Sequence, residues 1–109
     1  KKAGDFKDDI ILEGYKMLLE NYYPKNKSLL GVLPIKMRYA GPREAVMHAL
    51  IRRNYGCTHM IIGRDHAGVG NFYNSYAAHN IFDEFSKDEL GIKILKYENV
   101  GYCQDCEAP

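Results

Sequence analysis

Three stretches of this sequence hold residues whose types and spacing suit chemistry. Gly63-Arg64-Asp65-His66-Ala67-Gly68-Val69-Gly70 follows a short apolar run. Its glycines let the backbone approach a ligand closely and turn N–H groups toward negative oxygens. Pro34 to Gly41 adds Lys36 and Arg38. A guanidinium forms paired, planar hydrogen bonds to phosphate or sulfate, so arginines beside a glycine loop point to an oxyanion. The loop is neither a phosphate-cradling Gly-Lys-Ser/Thr motif nor a Gly-x-Gly-x-x-Gly dinucleotide fingerprint. On composition alone, a tight turn with a surface Arg64–Asp65 pair is the plainer alternative. The third stretch is Cys103-Gln104-Asp105-Cys106. Two thiolates at this spacing can share one tetrahedral zinc, which needs two further ligands. A thioredoxin-type redox pair should open a helix after a strand, and Glu107-Ala108-Pro109 opens none.

Charge is concentrated where the oxyanion chemistry would be. The net charge is +1, yet residues 36–64 hold Lys36 and all five arginines against Glu44 alone. All four histidines (His48, His59, His66, His79) lie in the middle of the chain as well. His48, His59 and His79 flank or enter regular elements and read as core or interface residues, and Cys57 reads as packing. The tyrosines at 22, 23, 73 and 76 read as the edge of an amphipathic core. The basic block is short and has no RNA-binding or zinc-finger pattern beside it, which argues against nucleic acid.

The elements that must position these residues follow from periodicity. Asp8-Asp9 opens a helix with Ile11, Leu12, Tyr15, Leu18, Leu19 and Tyr22 at spacings of three and four, and Pro24 stops it. Ser28 to Leu33 is a continuous apolar run that predicts a buried strand. Gly41-Pro42 starts a second helix, with Glu44 in its first turn, Arg52-Arg53 in its last and Gly56 as the stop. Strands are expected at Thr58–Ile62 and Ile92–Tyr97, with a helix from Tyr76 to Phe85 between them. The order α-β-α-β-α-β predicts a right-handed parallel α/β sheet, a Rossmann-like lobe that binds ligands beyond the carboxyl ends of its strands. Lys36, Arg38, Arg64, Asp65 and His66 would then converge on one rim.

With 46% hydrophobic and 27% charged residues, the 109-residue chain suits one modest globular domain. No apolar stretch is long enough for a membrane span. Three cysteines cannot close a disulfide framework and favour a reducing, cytoplasmic setting. The opening Lys1-Lys2-Ala3-Gly4-Asp5 has no initiator methionine, so residues 1–109 are expected to be an internal piece of a longer catalytic domain.

Met37-Arg38-Tyr39-Ala40-Gly41-Pro42-Arg43-Glu44-Ala45 followed by Gly63-Arg64-Asp65-His66-Ala67-Gly68-Val69-Gly70 closely resembles the ATP sulfurylase (sulfate adenylyltransferase) family. The likeness extends through Leu19-Glu20-Asn21-Tyr22-Tyr23-Pro24, Asn54-Tyr55-Gly56-Cys57-Thr58-His59 and Ile81-Phe82-Asp83-Glu84-Phe85. It implies an α/β nucleotidyltransferase that passes AMP from ATP to sulfate, giving adenosine 5′-phosphosulfate and pyrophosphate, or runs the reverse reaction. By that resemblance Gly63, Arg64, Asp65 and His66 line the ATP site, Arg64 is catalytic, and the Ala67 N–H faces sulfate. Magnesium would accompany the nucleotide phosphates. The resemblance also implies a cytoplasmic, homo-oligomeric parent and zinc at Cys103 and Cys106. The family's Gln-x-Arg-Asn and paired-histidine segments do not occur here, so this chain is expected to be inactive alone. Another α/β nucleotidyltransferase, or a non-catalytic metal-binding scaffold, are the competing readings.

Overall fold

The computed structural model describes Gly4 and residues 6–109, so the opening residues 1–3 and 5 lie outside the described residues. The chain divides into two compact units, Lys1–Met37 and Arg38–Pro109.

In the first unit, α1 spans Asp8–Asn21. Two acids in its first turn complement the helix dipole, and the Tyr22 N–H closes its end on the Leu18 carbonyl at 2.9 Å. Its apolar stripe is the expected one, with Ile11, Leu12 and Tyr15 lining a shallow groove opposite Leu30 to Ile35. The strand expected at Ser28–Leu33 is absent: the segment is irregular, with Leu29 96% and Val32 74% exposed. A strand exists only where a neighbour's N–H and C=O groups complete its ladder. Among the described residues no strand pairs with this segment.

The second unit carries the α/β structure. Its first helix, α2 (Pro42–Asn54), has proline at its first position, Glu44 in the first turn and Arg52-Arg53 in the last, as its sequence implies. One face is buried through Glu44, Ala45, His48 and Ala49, at the spacing of a single helical stripe. Strand β1 (His59–Ile62) alternates, with Met60 and Ile62 inward and His59 and Ile61 outward. After it come α3 (Ala77–Asn80), a single 3₁₀ turn (Ile81–Glu84) and α4 (Lys87–Leu90). Strand β2 (Lys93–Lys96) then returns parallel to β1, pairing His59 with Lys93 and Ile62 with Lys96.

The sheet therefore has two parallel strands rather than three. Parallel pairing obliges the chain to cross from the end of β1 back to the start of β2, and the glycine loop occupies the first part of that crossover. The helix expected from Tyr76 to Phe85 is split into four α residues and the 3₁₀ turn. Helix α4 was not anticipated, although Ser86 and Glu89 form a reciprocal capping box that is readable as Ser-x-x-Glu. The core joins Ala45 and Ala49 of α2 to Met60 and Ile62 of β1, with Ala78, Phe82, Leu90 and Ile92 closing it. Cys57 and His59, expected to pack, are exposed instead, because both precede or point away from the buried face of β1. No helix is long and apolar enough to cross a membrane among the described residues.

Candidate functional site

The loop from Gly63 to Gly70 leaves the carboxyl end of β1, where a parallel sheet presents ligands. His79 of α3 fixes its root. The His79 Nε2 lies 3.1 Å from the Ile62 carbonyl and 3.2 Å from that of Gly63. A ring nitrogen between two acceptors must carry the proton, so His79 is a structural donor. Arg64 is exposed, and its Nη2 donates to Ser75 Oγ at 3.1 Å. The Asp65 N–H donates to the Ser75 carbonyl at 2.7 Å, so one residue steadies both.

The backbone then does something unusual. Asp65 and Ala67 both have positive φ, 51° and 60°, a region that non-glycine residues enter at a cost of about 1–3 kcal/mol each. His66 between them does not. Backbone of alternating handedness is the kind that can turn neighbouring N–H groups toward an anion, and the Asp65 N–H is already held by the Ser75 carbonyl, which leaves those that follow it. Ala67 is 5% exposed, its carbonyl accepts the Gly41 N–H at 2.9 Å, and its own N–H has no backbone acceptor among the described residues. The Asp65 carboxylate occupies the space beside Gly68. A Cβ at position 68 would collide with the Asp65 carboxylate, so any larger residue there requires that side chain to turn aside.

The start of α2 supports this loop from below. Glu44 is 3% exposed, and its Oε1 and Oε2 accept the N–H groups of Arg38 and Ala40, each at 2.8 Å. Burial alone would raise its carboxyl, but the backbone donors of Arg38, Ala40 and Tyr39, with His48, bring it below the ordinary carboxylate range. The carboxylate thus folds Arg38–Ala40 into a turn and presents Gly41 to Ala67. Gly41, at φ 59°, also lies under the Tyr73 ring, where a Cβ would come within 2.6 Å of an aromatic carbon. One turn further along α2, His48 reaches the loop directly, with Nδ1 3.1 Å from His66 Nε2. Burial holds His48 below the ordinary histidine value, opposed by Glu44 and assisted by Arg52, and burial, then His48, Arg52 and His79, hold His66 below it.

The expected site residues are therefore partly assembled. Gly63, Arg64, Asp65, His66 and Ala67 share one loop. Arg38 is tied to it through Glu44 and Gly41, whereas Lys36 belongs to the first unit. Sequence reasoning took Glu44 only as a first-turn acid and His48 as core. The available signal was position: a glutamate three residues into a helix reaches back to the preceding backbone N–H groups. Nothing in the sequence paired His48 with His66, since that contact depends on how α2 packs on the crossover.

Cys103 and Cys106 sit in an exposed turn closed by an antiparallel bridge between Cys103 and Ala108, with the Cys103 N–H 2.8 Å from the Ala108 carbonyl. The Cys106 backbone N–H, the Cys106 thiol and the Asp105 N–H all donate to the Cys103 sulfur and lower its pKa. Such a turn favours thiolate at Cys103, the form in which cysteine binds zinc. Among the described residues no cluster of three or more His, Cys, Asp or Glu side chains stands ready for a metal.

Comparison with known proteins bears on the whole chain. The ATP-sulfurylase family model matches residues 1–109. The chain is 58% identical to a sulfate adenylyltransferase of Chloroflexus aurantiacus over 107 residues, which is 98% of this chain and 28% of that protein. It is 57% identical to the sulfate adenylyltransferase of Carboxydothermus hydrogenoformans over 105 residues, 96% of this chain and 28% of that protein. The corresponding protein of Deinococcus deserti is 56% identical over 105 residues, 96% of this chain and 27% of its own length. The chain thus spans less than a third of the length of the relatives it matches, and the matched stretch contains the glycine loop and helix α2. On a match that runs from its first residue to its last, the chain belongs to the ATP-sulfurylase family.

Proposed function

We propose that this chain is the part of a sulfate adenylyltransferase that holds ATP and sulfate at the Gly63–Gly70 loop, within a Rossmann-like nucleotidyltransferase lobe. The observation that carries the reading is the alternating backbone at Asp65, His66 and Ala67, which leaves the buried Ala67 N–H without a backbone acceptor beside an exposed arginine. In the reaction a sulfate oxygen bonds to the α-phosphorus of ATP while the bridge to the β-phosphate breaks and pyrophosphate leaves. Sulfate carries no proton at neutral pH, so the step needs no general base. It needs alignment and stabilisation of developing negative charge. Gly63, Arg64, Asp65 and His66 line the nucleotide, Arg64 supplies positive charge to the phosphates, and the Ala67 N–H meets sulfate.

Magnesium would accompany the nucleotide phosphates, whose hard oxygens are its preferred partners. Zinc fits Cys103 and Cys106 as two of four ligands, supported by the lowered Cys103 and the single bridged turn that carries both cysteines. It would supply structure at the end of the chain rather than chemistry. The test is pyrophosphate release from ATP by the protein that carries this chain, with and without sulfate. Sulfate-dependent release supports the reading, and release indifferent to sulfate favours a nucleotidyltransferase with another acceptor.

A further inference from the structure

Glu44, His48 and His66 form a line of three groups that runs from the interior of α2 to the loop. The Glu44 carboxylate is ionised and can only accept. His48 is 5% exposed, and its buried Nε2 makes no hydrogen bond, its facing polar atom being Glu44 Oε1 at 3.5 Å. Its other nitrogen, Nδ1, lies 3.1 Å from His66 Nε2. A neutral imidazole has one N–H and one lone pair, so two arrangements are open. If His48 carried its proton on Nδ1, a bare Nε2 would face a carboxylate oxygen, two buried acceptors in opposition. With the proton on Nε2, a positive N–H lies beside the Glu44 carboxylate, a favourable approach even without a closed hydrogen bond, and Nδ1 becomes the acceptor. The His66 Nε2 must then be the donor to His48, which leaves His66 Nδ1 without a proton.

We propose that Glu44 and His48 are positioning residues that hold His66 in its Nε2–H tautomer, so that its bare Nδ1 accepts a hydrogen bond from a hydroxyl or amino group of the nucleotide. The second half of this inference rests on the nucleotide-site reading above. The direction of the bond follows from chemistry: a lone pair repels phosphate and sulfate oxygens, so this nitrogen must meet a donor, and the donors on ATP are its ribose hydroxyls and its adenine amino group. Burial, then His48, Arg52 and His79, all disfavour a charge on His66, and only Glu44 favours one. The imidazole therefore stays neutral at pH 7 and keeps its acceptor.

Long-range proton–nitrogen NMR on histidine-labelled protein reads the tautomer directly, without any variant and without turnover. The expected spectrum has His66 protonated at Nε2 and bare at Nδ1, with the Nδ1 resonance moving when ATP is added. A proton on Nδ1 overturns the inference while leaving the sulfurylase reading intact. The expected tautomer with no response of Nδ1 to bound ATP overturns the role toward nucleotide. Loss of the response with an analogue lacking the 6-amino group assigns the donor to adenine, and loss with a 2′,3′-dideoxy analogue assigns it to ribose. Kinetics give a second arm. His48→Leu should raise the KM for ATP about tenfold with little change in kcat, the pattern of lost ground-state binding, and His48→Asn, which still offers an oxygen acceptor to His66 Nε2, should recover part of that loss. Equal behaviour of the two folded variants contradicts a positioning role. Absence of sulfate-dependent turnover in the unmodified protein, with the Nε2–H tautomer present, would sink the sulfurylase reading and spare the tautomer.

Discussion

Two apolar runs of similar length sit in this chain and meet different fates. Residues 28–33 (Ser-Leu-Leu-Gly-Val-Leu) and residues 58–62 (Thr-His-Met-Ile-Ile) both read as strands. Only the second becomes one, pairing with Lys93–Lys96 and burying Met60 and Ile62, while the first leaves Leu29 and Val32 in the open. The difference lies outside the runs. Thr58–Ile62 is covered by the alanine face of α2 and paired by β2, and its end is pinned by His79. Apolarity nominates a segment for burial, but a ladder partner and a covering helix decide the outcome.

The comparison breaks most visibly in the core. Ile62 is fully buried, so Ile62→Ala should destabilise the fold by about 2–5 kcal/mol, the range for truncating a buried aliphatic chain. Urea unfolding checks it. A loss below about 1 kcal/mol would mean that β1 is no better packed than residues 28–33. Next in size is Arg64→Ala, which should lower sulfate-dependent turnover by about 10²-fold, or about 2.7 kcal/mol in barrier. Its unfolding midpoint should not change, because the side chain is exposed and bonded only to Ser75. Near-normal turnover would return Arg64 to a surface role.

A smaller effect comes from pH. Burial above all keeps His48 and His66 below the ordinary 6.5, so the unfolded chain takes up protons that the folded one refuses. Stability is full above that value and is lost as pH falls through it toward the folded values. Glu44, held below 4.5, adds a further loss under that pH as its carboxylate is protonated. Urea midpoints measured from about pH 8 down to about pH 4 should decline in those two windows. A midpoint that rises on acidification would contradict the buried network. The smallest effect is expected at the other run, where Leu29→Ala should change stability by no more than about 0.5 kcal/mol.

What was legible in the sequence follows the same division. Helix α2 could be read end to end, because its proline, its glutamate and its two arginines are local signals that its own backbone uses. Strands β1 and β2 are legible because their apolar residues find partners, Met60 and Ile62 in the core, Ile94 against it, and each strand pairing with the other. Ser28–Leu33 misled because its apolar pattern contains no information about a partner. The short α4 carries a local capping box, but four residues are too few to show a helical periodicity. At the site, the glycine loop was readable from composition, and its left-handed residues, Asp65 and Ala67, were not, because neither is a glycine. The Glu44–His48–His66 line depends on tertiary packing and could only be seen in three dimensions.

Amide hydrogen exchange, followed with and without adenosine phosphosulfate in the protein that carries this chain, tests the central claim most directly. The account predicts new protection across Gly63–Gly70, greatest at Ala67, whose N–H has no backbone acceptor of its own, with residues 28–33 unchanged. Protection that appears elsewhere and leaves the Ala67 amide exchanging as before would contradict it.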